Sequence, residues 1–202
     1  MLAYVSKGRC REGNAKLPRL RRHGWRLFLL PGDVGGPLGF HYALDNAAWI
    51  AHVNGTEWEA GPFLDLVAQY GHGADFVVAP DIVGGGLRSL RLSERWLFKL
   101  PGRRLIAVQD GMSPADVAPL LGPTVGVFVG GTTPFKLATM AAWGLLARER
   151  RAWLHVGRVN TARRVALCAA AHADSFDGTS AMRFPKTINM LDAARRQPAF
   201  RW

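Results

Sequence analysis

The chain has 202 residues, 49% of them hydrophobic and 20% charged, with a formal net charge of +11. This composition fits one domain with its own core and excludes a disordered chain. Its apolar runs fall short of the ~20 residues that a spanning helix needs, so no membrane association is expected.

The sequence opens on LAYVS (2–6), a β-rich run. Residues 1–26 carry eight Lys/Arg against the single acid Glu12, an excess of seven out of the eleven net charges. Gly13, Pro18 and Gly24 interrupt that segment, and 8–25 reads as an irregular basic loop able to draw in phosphate backbones. RLFLLP (26–31) and YALDN (42–46) are the next strands. From there apolar β runs alternate with longer helical runs. Strand DFVVAPD (75–81) stands between helices at 61–71 and 88–98. RLIAVQD (104–110) precedes a helix at 113–122, with Ser113 as N-cap and Pro114 in first position. VGVFVGG (125–131) precedes a helix at 135–151. WLHVGRV (153–159) precedes a helix at 161–173 capped by Thr161, and SFDGT (175–179) precedes a helix at 187–197.

Eight strands, most followed by helices, imply parallel neighbours. FVVAP, LIAV and VGVFV are continuous apolar runs, as strands covered on both faces require. The expected fold is α/β, a compact (β/α)8 TIM-type barrel forming a single domain over 1–202, with an open doubly wound sheet as the alternative. Cys10 and Cys168 are too few for a disulfide framework or a tetrahedral zinc site, and they read as reduced thiols. The first residues show no signal-peptide core, so the expected compartment is the cytoplasm, the host's if the gene is a phage's.

Polar groups recur where the strands end. Asp45-Asn46 close the third, Asp81 the fourth and Gln109-Asp110 the fifth. Gly130-Gly131 close the sixth, Gly157-Arg158 the seventh, and Asp177 lies on the eighth. In a closed barrel these ends share one face, where barrel active sites lie. Taken singly, each has a structural explanation: strand-end Asp often caps the next helix, and Gly-Gly makes a tight turn or binds phosphate. Asp75, Asp110, Asp174 and the six histidines read as structural, with no metal spacing among the histidines.

Together ALDNAAW, VVAPDIVGGG, AVQDGM, VFVGGTTPFK, HVGRVN and DSFDGTS resemble, in order, the strand-end motifs of the tRNA-guanine transglycosylase superfamily. The form is most similar to its phage and bacterial DNA-modifying branch (often called DpdA), whose members exchange guanine in DNA for a 7-deazaguanine. The resemblance spans about residues 40–186. It implies that Asp177 is the nucleophile and Asp45 the general acid/base. It places Trp49 as the aromatic under the base. Asp81 and Gln109 would bond the purine, Gly130 and Gly131 close on it, and Asn46, Val156 and Gly157 complete its pocket. Arg158, Arg163, Arg183 and Lys186 would hold phosphates near the rim.

The expected activity is therefore a pentosyltransferase reaction on DNA, with a free 7-deazaguanine such as preQ0 as co-substrate and no metal or cofactor. Two departures stand out. The family's tRNA enzymes carry a zinc site of three Cys and one His after the eighth strand, and no Cys or His follows Asp177 here. That makes tRNA the less expected substrate. The family's DSGGF also appears as DNAAW, with Ala where Gly would allow close approach. Alternatives are tRNA-guanine exchange, or a non-catalytic nucleic-acid-binding barrel serving a larger complex. A small-molecule barrel enzyme holding phosphate at Gly130-Gly131 is a further one. A homodimer and an accessory role are both compatible with the sequence.

Overall fold

A computed structural model describes residues 1–8, 13–184 and 186–196. In chain order the elements are β1 (Leu2–Ser6), α1 (Leu17–Arg22), β2 (Arg26–Leu29), β3 (Tyr42–Leu44), α2 (Ala48–Asn54), α3 (Ala60–Tyr70), β4 (Val77–Val78) and α4 (Leu87–Leu97). There follow β5 (Arg104–Val108), α5 (Pro114–Val117), β6 (Val125–Val129), α6 (Thr133–Glu149), β7 (Leu154–Val156), α7 (Ala162–Ala170), β8 (Ser175–Asp177), α8 (Ser180–Arg183) and α9 (Thr187–Arg196).

All eight strands pair in parallel in sequence order, and β8 closes onto β1 with Ala3 opposite Phe176 and Tyr4 opposite Asp177. The protein is a closed (β/α)8 barrel. Period-two alternation divides its core. Outward residues such as Val5, Leu29, Leu44, Ile106, Val127, Val156 and Phe176 pack beneath the helices. Inward residues Tyr4, Phe28, Phe76, Val78, Leu105 and Phe128 fill the barrel. Among them lies His155, stacked on Phe128 with centroids 4.8 Å apart and 5.1 Å from Phe76. These rings make an aromatic floor beneath the strands' C-terminal ends. No helix among the described residues is long and apolar enough to cross a membrane.

The expected strands are present, β1 with its expected bounds and the others shorter, so the polar residues placed on their ends, Asp177 excepted, stand in the loops just beyond. The segment 8–25 is not wholly irregular. Leu17 and Leu20 are buried and Pro18 sits in the first turn of α1, where a missing N–H costs nothing. Residues 9–12, with Cys10, Arg9 and Arg11, lie outside the described residues. Among the described residues, some of the segment's cations are used inside the protein. Lys7 is buried, with its ammonium on the Val34 carbonyl. Arg26 pairs with Asp75 (2.5 Å) at the barrel's opposite end, and Arg21 spans to Phe40, 4.6 Å from its centroid.

Expected caps are present on α5, where Ser113 and Asp116 form a reciprocal capping box, and on α7, where Thr161 accepts from the Arg164 N–H. The helix at 113–122 is shorter than expected, because it passes into a 3-10 turn at Ala118–Leu120.

Candidate active site

Asp45 and Asn46 follow β3, and each folds its side chain back onto the chain. Asp45 Oδ1 accepts from the Ala47 N–H (2.7 Å) and Asn46 Oδ1 from the Ala48 N–H (2.7 Å). These two Asx turns bend the strand directly into α2. They also force Ala47 to a left-handed φ of 61°, the conformation glycine adopts freely. The Ala-for-Gly departure in DNAAW is thus absorbed as backbone strain.

The Asn46 amide is used inside the protein. Its Nδ2 donates to the Ala79 carbonyl (2.7 Å) and to Asp81 Oδ1 (2.9 Å). Gln109 is tied down in the same way. Its Nε2 donates to Ile82 O (2.9 Å) and Ser89 Oγ (2.8 Å), while Oε1 accepts from the Gly84 N–H (2.6 Å). Both were expected to touch a base; with every N–H engaged, they instead fix Asp81 and the loop after β4. Val156 is also corrected. Alternation turns it outward beneath the helices, so only Gly157 of the pair borders the mouth.

Three carboxylates converge. Burial above all, with the negative charges of Asp177 and Asp81, raises Asp45 to about 7 against the pull of the Ala47 N–H. Burial likewise lifts Asp81 to about 6, opposed by the Asn46 amide. Asp177 comes from β8, and its Oδ1 meets His155 Nε2 at 3.0 Å and the Arg158 N–H at 3.3 Å. The far nitrogen of His155 meets Ser175 Oγ at 2.8 Å. Asp174, three residues earlier, accepts from the Leu154 N–H (2.8 Å) at the other end of β8 and is structural. Among the described residues no three His, Cys, Asp or Glu come close enough to share a metal ion.

Around the carboxylates stand cations and a ring. Arg158, at a left-handed φ of 59°, reaches the Gly131 carbonyl and lies over Trp49, 4.1 Å from its centroid. Gly157 has no room for a side chain, since a Cβ would fall 2.6 Å from the Phe128 ring and 3.4 Å from Asp177 Oδ1. Gly131 takes a φ of 68°, and a Cβ there would meet Asp110 at 2.7 Å. Asp110 accepts from the Thr132 N–H and Oγ1, both at 2.7 Å, so a carboxylate already occupies the start of α6. That opposes a phosphate site at Gly130-Gly131. Arg163, Arg183 and Lys186 are exposed on the segments that follow β7 and β8.

Two residues escaped the sequence reading. His155 counted as structural, yet alternation puts it on the same inward face as Gly157, and the register sets it beside β8. Lys136 went without a role inside VFVGGTTPFK. A cation in the opening turns of a helix, where the dipole disfavours it, was the available signal, and the structure buries it.

Fold and site thus define a (β/α)8 barrel whose mouth presents three carboxylates over an aromatic floor. No protein-family model matches the chain, and no curated protein matches it. Solved structures do resemble it. Tryptophan synthase from M. tuberculosis, in an aminoacrylate-bound form, superposes with a TM-score of 0.53 at 15% identity, over 96% of this chain and 89% of that one. A ligand-free mutant form of the same enzyme gives 0.50 at 14% identity, over 96% and 90%. At such identity the likeness shows the barrel fold alone.

Proposed function

We propose that this protein is a base-exchange glycosyltransferase that replaces guanine in DNA with a 7-deazaguanine through a covalent Asp177–sugar intermediate. One observation carries the proposal: Asp45, just after β3, and Asp177, at the end of β8, stand at the same barrel mouth, near enough for the charge of Asp177 to raise the pKa of Asp45.

An N-glycosidic bond breaks through an oxocarbenium-like transition state, which a carboxylate below C1′ stabilises and then captures. Asp177, held by His155 and the Arg158 N–H, supplies that carboxylate. The departing guanine needs a proton. Asp45, near 7, holds one for much of the time at neutral pH and can take one back. The second base gives its proton to Asp45 as its nitrogen attacks C1′ and displaces Asp177. Two displacements retain the sugar's configuration.

Asp81, ionised above about 6, accepts from the N1–H and N2–H of guanine. With Gln109 occupied, the Gly131 N–H is the donor left for O6. Adenine would leave polar groups unpaired, at ~1–3 kcal/mol each. A base inside a duplex must first be flipped out, and the net charge of +11 favours the phosphate contacts this needs.

The test is incorporation of labelled guanine into duplex DNA, with tRNA alongside. Exchange into DNA that Asp177→Ala abolishes supports the proposal. Exchange into tRNA alone redirects the substrate. No exchange into either, with DNA binding indifferent to Asp45 and Asp177, leaves a binding barrel.

A further inference from the structure

Lys136 is buried in α6, only 5% exposed, yet among the described residues it forms no ion pair. Its Nζ donates to the Gly157 carbonyl at 2.7 Å. The next atoms in that peptide are the Arg158 nitrogen and its hydrogen, and the Arg158 N–H donates to Asp177 Oδ1 at 3.3 Å. One rigid peptide plane therefore has an ammonium on its oxygen and the Asp177 carboxylate on its hydrogen.

We propose that Lys136 is a positioning residue for Asp177, acting through the Gly157–Arg158 peptide as a relayed counter-charge. This rests on the base-exchange reading for its catalytic consequence, although the coupling itself does not. An ammonium on a carbonyl oxygen draws electrons from the amide and strengthens its N–H as a donor. It also brings positive charge behind Asp177 without entering the mouth, where a free ammonium would compete for the sugar or the base. Asp45 has no such partner; what acts on it is burial, the Ala47 N–H and the charges of Asp177 and Asp81. Two carboxylates in one mouth thereby receive different surroundings, as a nucleophile and an acid require.

Four groups face Lys136. Arg158 from the loop after β7 and Arg164 from α7 repel its charge, Asp177 from β8 favours it, and the Cys168 thiol from α7, pushed up to about 12 by burial, stays neutral beside it. Burial is the largest influence, and together these lower the ammonium to about 8. The relay therefore weakens as the pH rises through the mildly alkaline range.

The test compares wild type, Lys136→Arg and Lys136→Met in two assays. In the first, exchange of labelled guanine is followed from neutral to alkaline pH, with DNA affinity and melting temperature measured in parallel. Lys136→Met should lower kcat about 10- to 100-fold, less than removal of a direct transition-state donor can cost, with DNA affinity unchanged. Lys136→Arg should recover part of the loss and move the alkaline fall in kcat upward. In the second, the carboxyl carbons of aspartate are observed by NMR, with Asp177 assigned from its loss in Asp177→Asn. The wild-type Asp177 signal should show a step as Lys136 titrates near 8, besides the one that Asp45 imposes near 7, and the Lys136→Met signal should keep only the latter. Equal losses in Arg and Met variants, or an Asp177 signal indifferent to Lys136, would overturn the relay whether or not exchange occurs. A coupled signal in a protein that exchanges no base would keep the relay and remove the base-exchange reading.

Discussion

The Arg158 guanidinium lies 4.1 Å from the centre of the Trp49 ring, joining the ends of β7 and β3. These strands stand opposite each other in an eight-stranded barrel, so the pair crosses the mouth above the carboxylates. Trp49 was expected to stack on a base and Arg158 to hold a phosphate. As folded, each covers the other, and a base that enters must share the ring's exposed face or displace the guanidinium.

Arg158→Ala should thus act twice. It removes one cation, reducing the salt dependence of DNA binding by about one counterion, and it frees the ring. Trp49→Ala should leave the salt slope untouched and raise the KM for the free base about 10- to 100-fold, the value of ~1–3 kcal/mol of stacking. Binding measured across salt concentrations, with exchange kinetics, separates the two effects.

The strained turn beneath Trp49 gives a test independent of activity. Ala47 at φ 61° bears a left-handed penalty that glycine escapes. Ala47→Gly should stabilise the protein by about 1 kcal/mol, or raise the melting temperature by roughly 2–4 °C. A thermal melt checks it. A fall in melting temperature would mean that the entropy glycine loses on folding outweighs the relief.

His155 supports Asp177 from below. A phenyl ring fits among Phe28, Phe76 and Phe128, so His155→Phe keeps the floor packed. It leaves Ser175 Oγ and Asp177 Oδ1 without their imidazole partner, at about 1–3 kcal/mol. Chemical denaturation should show that loss. Exchange should fall more steeply than stability predicts, since the carboxylate loses its orientation.

The barrel was legible in the sequence because its evidence is periodic. Apolar strand runs alternate with capped helices, and Ser113 and Thr161 sit at caps as their chemistry predicts. The convergence of Asp45, Asp81 and Asp177 followed from parallel topology, which sends all strand ends to one face. Partners were not legible. Asn46 and Gln109 carry the groups a purine needs, but loops after β3 and β4 claim those groups first, and loop geometry has no period. Helix α2 was missed for a related reason: it is seven residues long and begins from two Asx turns with no conventional cap. Val156 was misplaced by reading a dipeptide as a unit, where alternation sends its two side chains to opposite faces.

The acidic mouth should leave a signature in stability as well as in rate. Asp45 is raised from its ordinary value near 3.8 to about 7 in the fold. A carboxyl whose folded pKa exceeds its unfolded value binds its proton more tightly when folded. Its contribution is complete below the unfolded pKa and is lost as the pH rises through the folded one. At roughly 1.4 kcal/mol per pKa unit, the ionised mouth costs the protein a few kcal/mol above pH 7. Asp45→Asn removes the charge and keeps an oxygen for the Ala47 N–H. The variant should match wild type in acid and exceed it by about 2–4 kcal/mol in mild alkali, the gap opening as Asp45 ionises. Urea titrations at two pH values measure this directly. The same variant should lose base exchange at every pH, because an amide neither gives nor accepts the proton that the leaving base requires. Greater stability together with lost exchange would mark Asp45 as a group held against its own electrostatic preference for the sake of chemistry. Equal stability across the pH range would mean that water reaches the carboxylate and its partners more freely than the fold implies.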